Sequence, residues 1–229
     1  AVRRNLNMVY IIENNGVYGL TKGQYSATAE EGSQKRKSPP NKTQPIDLCA
    51  LAVNLGCTFV ARSFSGAKKQ LTSLMKAAMS HKGFSLIDII SPCVTFNNND
   101  ESMRSYGYVK EHDVELHAVD YIPSFSPMDE VEIPAGAYRD IELHDGSIVR
   151  LETISEEHDP FNAVAALAAM HNAEKEKKHV TGLLYFDPTK PSADEDQNLV
   201  DTPLSQLKEE QMRPSKESLD EILAGFRGL

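Results

Sequence analysis

Three short apolar runs, separated by two amphipathic stretches, dominate the first 90 residues of the chain. The runs are residues 8–12, 57–62 and 84–90. Continuous apolar runs of this length are typical of strands that are buried on both faces of a parallel sheet. The stretches between them, residues 47–55 and the segment that opens at Ser65, carry apolar side chains at helical spacing. This alternation predicts an α/β fold built on a doubly wound, mostly parallel sheet with right-handed crossovers.

The first apolar run begins only seven residues into the chain, and residue 1 is Ala1 rather than a methionine. A central strand so close to the start indicates the C-terminal part of a longer polypeptide. Made alone, such a strand would present an exposed apolar edge. We therefore expect the 229-residue chain on its own to be poorly soluble or dimeric.

Charge is divided unevenly along the chain, whose formal net charge is −9. Residues 1–92 hold 12 Lys and Arg against 5 Asp and Glu, a net of +7, whereas residues 93–229 hold 12 against 28, a net of −16. The first part can attract anions such as phosphates. The acidic second part argues against broad nucleic-acid binding, which requires a basic face, so no nucleic-acid partner is expected.

Composition also argues against several classes of protein. Because the sequence has neither a run of 18 apolar residues nor a basic-then-apolar leader, we expect no membrane span and no secretion. Its three cysteines, Cys49, Cys57 and Cys93, include no C-x-x-C pair and do not suit a disulfide scaffold. A reduced, cytoplasmic setting fits this sequence best.

Two polar segments leave the predicted strands at the carboxyl edge of the sheet, where doubly wound folds bind ligands. The first, residues 14–24, opens with Asn14-Asn15-Gly16-Val17. Hard divalent cations prefer oxygen ligands, and an Asn side-chain oxygen and a main-chain carbonyl two residues later can reach one ion from a tight turn. Mg²⁺ held in this way can clamp a diphosphate, although most turns of this composition are only turns.

The wider sequence around both segments resembles a known enzyme family. The string NNGVYGLTKGQ at residues 14–24 closely resembles the thiamine-diphosphate motif of the β subunits of 2-oxoacid:ferredoxin oxidoreductases, and SPCVTFN at residues 91–97 is similar to a second signature of that family. The resemblance is strong over residues 1–120, which implies a thiamine-diphosphate-binding domain that is incomplete at its N-terminus. Residues 121–229 resemble the C-terminal extension of the 2-oxoglutarate-type β subunits, with irregular α+β structure.

The resemblance implies roles for residues of the first segment. Asn15 would give its side-chain oxygen to Mg²⁺, and Val17 its main-chain carbonyl. Leu20 and Lys22 would lie at the catalytic centre, with Lys22 near the substrate carboxylate, a role that suits its charge. The residues implied to contact the cofactor are Asn14, Asn15, Val17, Tyr18, Gly19, Leu20 and Thr21.

Cys93 is implied to be one of four thiolate ligands of a [4Fe–4S] cluster. The family's other three cluster cysteines, and the Gly-Asp-Gly motif whose aspartate completes its Mg²⁺ site, do not occur in this sequence. Their absence again indicates the C-terminal part of a longer polypeptide. Without the resemblance, Cys93 would more often be a small buried hydrophobe, and Lys22 a solvated surface side chain.

The resemblance further implies a reaction and a set of partners. The reaction is a thiamine-diphosphate-dependent oxidative decarboxylation of 2-oxoglutarate to succinyl-CoA, with coenzyme A as co-substrate and electrons passed to ferredoxin. The implied partner is an α subunit, in an αβ pair or its dimer. Pyruvate or another 2-oxoacid stays open as the substrate, because the α subunit sets part of this choice.

Two further interpretations compete with the enzyme. As an isolated fragment the chain would be inactive, and it could serve only as a non-catalytic domain that docks a partner. An ordinary doubly wound nucleotide binder is disfavoured, because no G-x-G-x-x-G string follows a predicted strand.

Overall fold

The computed structural model describes residues 1–21, 24–33, 39–93, 102–122, 138–142, 148–153 and 158–227. By its internal contacts the chain divides into two compact units, Ala1–Ala193 and Asp194–Leu229. The division at residue 120 that the resemblance implies stays a prediction.

In the first unit the described residues form a seven-stranded sheet. Its strands are β1 (Met8–Asn14), β2 (Phe59–Phe64), β3 (Phe84–Ile90), β4 (Asp113–Ile122), β5 (Tyr138–Glu142), β6 (Ile148–Thr153) and β7 (His179–Phe186), in the order β1-β3-β2-β7-β4-β6-β5. β1, β3 and β2 are parallel, β7 runs antiparallel to β2, and β4 runs parallel to β7. β5 and β6 add an antiparallel pair at the far end. The predicted α/β architecture is confirmed.

The described residues also form helices. They are α1 (Leu48–Asn54), α2 (Lys68–Ser80), α3 (Tyr106–His112), α4 (Ala163–Lys175), α5 (Ala193–Asp196) and, in the second unit, α6 (Glu209–Met212) and α7 (Lys216–Arg227). Local sequence explains two of their starts. The Asp47 carboxylate accepts from the Ala50 N–H at 2.9 Å and caps α1, and Asn162 caps α4 in the same way.

Both faces of the sheet are covered at its inner strands β2 and β3, as a doubly wound fold requires. Leu74, Ala77 and Ala78 of α2 pack into one apolar cluster with the sheet. Residues of α1 and α4 pack into a second cluster against alternate strand positions. Because successive strand side chains point to opposite faces, all six residues of β2 are buried. β3 is buried along its whole length for the same reason.

The first strand is the exception, and here the prediction of burial on both faces is wrong. β1 lies at one end of the sheet, and Met8, Tyr10 and Ile11 are 40%, 51% and 42% exposed. An apolar run shows that a strand can be buried, but burial also requires elements that cover it. Within the described residues these side chains form an exposed apolar surface. The expected poor solubility or dimerisation stays a prediction.

The later part of the first unit contains an antiparallel strand pair. In it β5 lies beside β6, with Asp140 opposite Arg150. Residues 123–137 and 143–147 lie outside the described residues.

The second unit consists of short helical segments. In α7 the Ser215 hydroxyl accepts from the Ser218 N–H at 3.1 Å and caps the first turn. Among the described helices, none combines the length and the apolar character that crossing a membrane requires.

Candidate functional site

The two polar segments found in the sequence meet at the carboxyl edge of the sheet. Asn14, the last residue of β1, is the register partner of Ile90, the last residue of β3. The Asn14 carbonyl accepts a hydrogen bond from the Ser91 N–H at 3.1 Å. Cys93 follows Ser91 by two residues. One hydrogen bond therefore joins the candidate diphosphate turn to the segment that carries Cys93.

The turn after β1 has the compact form that its sequence predicts. The Asn15 side-chain oxygen accepts from the Val17 N–H at 3.1 Å. Gly16 has a φ of +67°, which a glycine adopts without strain. Val17 then forms an isolated antiparallel bridge with Tyr25, which closes the loop between them. An amide oxygen has two lone pairs, so Asn15 can keep its turn bond and still accept a cation.

The tip of this loop is open to solvent. Tyr18 is more than half exposed and Leu20 is 92% exposed, while the space around Gly19 is empty. The Thr21 hydroxyl bonds the Gln24 side chain. Lys22 lies outside the described residues. The cofactor contacts of Tyr18, Gly19, Leu20 and Thr21, and the catalytic roles of Leu20 and Lys22, stay predictions.

Asn14 has a different environment from the rest of the turn. Its side chain is buried; the amide nitrogen donates to Asp88 Oδ1 at 3.0 Å, and the amide oxygen accepts from the Thr28 hydroxyl at 2.7 Å. Both ends of the amide thus have protein partners that anchor the end of β1. The predicted cofactor contact of Asn14 stays a prediction.

A buried ion-pair network lies behind Asn14, and sequence reasoning missed it. Arg62 Nε donates to Asp88 Oδ2 at 3.0 Å, and Arg62 Nη2 donates to Asp47 Oδ1 at 2.6 Å. Burial raises the pKa of the Asp47 carboxyl, but the Arg62 guanidinium and the Ala50 N–H outweigh it and hold this pKa below its usual value. Two carboxylates therefore pair with one buried cation.

Arg104 forms a second buried contact with the turn. Its guanidinium donates to the Asn14 carbonyl at 3.3 Å and to the Thr28 carbonyl at 2.6 Å, and Nε lies 3.5 Å from Glu30 Oε1. Burial raises the pKa of Glu30 despite this neighbouring cation. Arg104 stands in a polar segment without periodic pattern, so no sequence signal marked it. Arg62 and Asp88 did carry a sequence signal, because each is a charged residue inside or at the end of an apolar run.

A cavity of about 680 Å³ opens beside this network. Its lining includes the start of α1 at Asp47, the end of α4 at Lys175, the two buried arginines, and His179. Burial lowers the pKa of His179 to about 4, so the imidazole is neutral at physiological pH. The cavity combines charged and apolar walls.

The three cysteines are not equally suited to bind an iron–sulfur cluster. Cys93 is half-buried, whereas Cys49 and Cys57 are fully buried and hydrogen-bond to backbone carbonyls. Burial raises the pKa of Cys49 well above its usual range and that of Cys57 to about 11. Across the part of the chain that the structure describes, no group of three or more His, Cys, Asp or Glu residues could hold a metal ion. The described residues therefore do not supply a complete four-thiolate site. Cys93 could contribute one ligand to such a site.

Comparison with known proteins confirms the resemblance. Residues 1–89 match the model of the thiamine pyrophosphate enzyme C-terminal TPP binding domain. The chain is 40% identical over 129 residues to a 2-oxoacid:ferredoxin oxidoreductase subunit beta of Sulfolobus sp, an alignment that covers 56% of this chain and 40% of that relative. It is 37% identical over 109 residues to the 2-oxoglutarate oxidoreductase subunit KorB of Mycobacterium tuberculosis, which covers 47% of this chain and 29% of that relative. The chain thus spans well under half the length of these relatives.

A solved structure is similar over nearly the whole chain. It is a 2-oxoglutarate:ferredoxin oxidoreductase from Magnetococcus marinus with 2-oxoglutarate, coenzyme A and succinyl-CoA bound. The similarity covers 97% of this chain and 59% of that chain, with 26% sequence identity and a TM-score of 0.60.

Proposed function

We propose that this chain, a relative of the β subunits of 2-oxoacid:ferredoxin oxidoreductases, forms part of the thiamine-diphosphate site of such an enzyme. The reaction is the oxidative decarboxylation of 2-oxoglutarate to succinyl-CoA, with electrons passed to ferredoxin. One observation carries the proposal: the Ser91 N–H bonds the Asn14 carbonyl, so both family motifs lie at one edge of one sheet. That edge is where doubly wound folds bind their ligands.

The turn after β1 fits the magnesium ion that accompanies the diphosphate. The Asn15 side-chain oxygen and the Val17 carbonyl would bind Mg²⁺, since both are the neutral oxygen donors that this cation accepts. Tyr18, Gly19, Leu20 and Thr21, with Asn14 behind them, would contact the cofactor. When bound, thiamine diphosphate supplies the nucleophile for the keto carbon and accepts the electron pair that the departing CO₂ leaves.

The chain's own side chains would bind and orient the substrate. The exposed Leu20 would cover the reacting centre and keep water from it. Lys22 would hold a carboxylate of the oxoacid by charge. Cys93 would give one thiolate to an iron–sulfur cluster whose other ligands come from elsewhere. The described residues do not complete that cluster.

The partners follow from the relatives, which are named as β subunits. We assign an α subunit as the partner, in an αβ pair or its dimer, with ferredoxin as electron acceptor and the cytoplasm as location. A second candidate substrate is pyruvate or another 2-oxoacid. The Sulfolobus relative has the broader name 2-oxoacid:ferredoxin oxidoreductase, which supports this second candidate substrate.

The test uses the native complex that contains this chain. The complex is supplied with thiamine diphosphate, Mg²⁺, coenzyme A and oxidised viologen, and either 2-oxoglutarate or pyruvate. We expect viologen reduction and succinyl-CoA with 2-oxoglutarate. Acetyl-CoA at an equal or higher rate would select pyruvate instead. A complex that forms but binds no thiamine diphosphate would overturn the enzyme proposal and favour the docking domain.

Lys22 allows a sharper test of the site within the same complex. Replacing it, Lys22→Met, should raise the KM for 2-oxoglutarate at least tenfold with a smaller effect on kcat, because the side chain binds the substrate carboxylate. Lys42→Met removes an exposed charge outside the turn and serves as the matched control. An unchanged KM in Lys22→Met would remove that role.

A further inference from the structure

Arg104 is a buried cation that holds together two carbonyl groups of the candidate cofactor segment. Its side chain is only 9% exposed. Through Nη1 and Nη2 it binds the carbonyls of Asn14 and Thr28, which lie 14 residues apart in the chain. The Thr28 hydroxyl reinforces the junction through its bond to the Asn14 amide oxygen. Arg104 therefore joins the start and the return of the loop.

This contact is costly to keep. Burial lowers the pKa of Arg104 and raises that of Glu30, so the pair recovers less than the charges lose by leaving water. Neither Arg104 Nε nor Glu30 Oε1 has a hydrogen-bond partner, although the two atoms form an ion pair. A buried ion pair with this balance is weak evidence for a contribution to stability. A role in positioning the turn after β1 explains the Arg104–Glu30 pair better than a contribution to stability does.

We propose that Arg104 is a positioning residue for the magnesium-diphosphate turn, acting through the Asn14 carbonyl. The inference rests on the proposed function. That carbonyl belongs to the peptide group that leads into Asn15, and it is held from two sides, by Arg104 and by the Ser91 N–H. Fixing this peptide plane fixes the direction in which the chain enters Asn15. The Asn15 side-chain oxygen and the Val17 carbonyl follow within two residues.

Magnesium makes this direction matter. Mg²⁺ demands near-ideal octahedral geometry at short metal–oxygen distances, so a small rotation of the turn weakens its binding. Loss of residues that orient metal ligands typically lowers metal affinity 10- to 100-fold. Arg104 touches neither ion nor cofactor in this scheme.

The experiment measures binding in the native complex containing this chain. The test variant is Arg104→Met combined with Glu30→Gln, which removes both charges of the pair together and leaves no unpaired buried ion. Glu30→Gln alone keeps both carbonyl contacts and is the matched control. Arg104→Lys restores a cation that can donate to both carbonyls. The readouts are the Kd of thiamine diphosphate, by calorimetry at a fixed Mg²⁺ concentration that only just saturates the wild-type complex, and the EPR spectrum of Mn²⁺ in place of Mg²⁺.

We expect the double variant to bind thiamine diphosphate at least tenfold more weakly and to broaden the Mn²⁺ spectrum. Glu30→Gln and Arg104→Lys should stay within about threefold of wild type. A second control, Thr58→Val, destabilises the opposite edge of the sheet, where the Thr58 hydroxyl bonds Asn5 and His81. It should lower the melting temperature and leave the Kd unchanged.

Each outcome decides the inference. Wild-type affinity for thiamine diphosphate in the double variant would overturn the role of Arg104. An equal loss of affinity in Thr58→Val would overturn it too, because the loss would then reflect lower stability in general. If Glu30→Gln alone weakened thiamine-diphosphate binding, the charge balance of the ion pair would explain the effect. That result would overturn the role of the carbonyl contacts. A wild-type complex that binds no thiamine diphosphate would instead overturn the proposed function.

Discussion

Arg62 and Asp88 are register partners on the adjacent parallel strands β2 and β3, with Arg62 Nε 3.0 Å from Asp88 Oδ2. The other oxygen of Asp88 accepts from the Asn14 amide at 3.0 Å. One carboxylate therefore neutralises a buried guanidinium and anchors the end of β1. The framework beneath the candidate site is electrostatic as well as apolar.

Removing Asp88 should destabilise the protein strongly. Asp88→Ala leaves Arg62 with Asp47 as its remaining ion-pair partner, but it removes the acceptor of the Arg62 Nε–H and of the Asn14 amide N–H. Each unsatisfied buried donor costs about 1–3 kcal/mol of unfolding free energy. Denaturant unfolding measures the change. Asp196→Ala, at an exposed position, is the control and should fall within about 0.5 kcal/mol of wild type. Equal stability of the two variants would contradict the account of the network.

Gly182 should tolerate no side chain. It lies in β7 opposite His117, where the register with β4 shifts, and its φ is +96°. A Cβ there would press against the backbone of His117, with the amide nitrogen at 3.0 Å and the carbonyl oxygen closer still. The strained backbone alone costs about 1–3 kcal/mol, and the contact adds to it.

The measurement for Gly182→Ala is again the free energy of unfolding. Gly107→Ala is its matched control, because Gly107 lies in α3 with open space around it. There an alanine should be neutral or stabilise by up to about 1 kcal/mol. A Gly182→Ala variant as stable as Gly107→Ala would show that the backbone at this register shift can rearrange.

The sequence predicted the elements whose causes are local. The helix after Asp47 follows from a capping side chain and an apolar face, and the burial of β2 follows from a continuous apolar run. The exposure of β1 was not predictable in this way, because it depends on which elements cover the strand. A run of apolar residues carries no information about its neighbours in the sheet.

The candidate site divides along the same line. The turn at Asn15 and Val17 is visible in the sequence because a contiguous motif forms it. The contacts of Arg62 and Arg104 are not, because they join residues that are distant in sequence: Arg62 to Asp88, and Arg104 to Asn14. Register and loop packing bring these partners together, and neither can be read from one stretch of chain.

The three cysteines should react in a fixed order. In the native complex, with iron bound, we expect iodoacetamide to label none of them. Removing the iron with an oxidant and a chelator should expose Cys93 alone. Cys49 and Cys57 should react only after unfolding, because they are buried and burial raises their thiol pKa values. Peptide mass mapping identifies the labelled site. Labelling of Cys93 in the iron-loaded complex would contradict its role as a ligand.

His179 should make stability depend on acid. Burial, with the positive charges of Arg62 and Arg104 nearby, lowers its pKa from 6.5 to about 4. Its Nε2 donates to the Met103 carbonyl at 2.6 Å, which the neutral ring can do. In the unfolded chain His179 takes up a proton at a higher pH than in the folded chain. The contribution of the neutral His179 ring to the free energy of unfolding is therefore fully present above pH 6.5. It is lost as the pH falls toward 4.

The size of the effect follows from the shift. One pKa unit corresponds to about 1.4 kcal/mol, so the whole contribution is about 3 kcal/mol. His179→Gln keeps a donor for Met103 but cannot titrate, so its unfolding free energy should fall less between pH 6.5 and 4 than that of wild type. His171→Gln, at an exposed position, should keep the wild-type slope. Denaturant unfolding at several pH values compares the three. Parallel curves for wild type and His179→Gln would contradict the lowered pKa, because they would show that His179 takes up its proton at the same pH in the folded and unfolded chains.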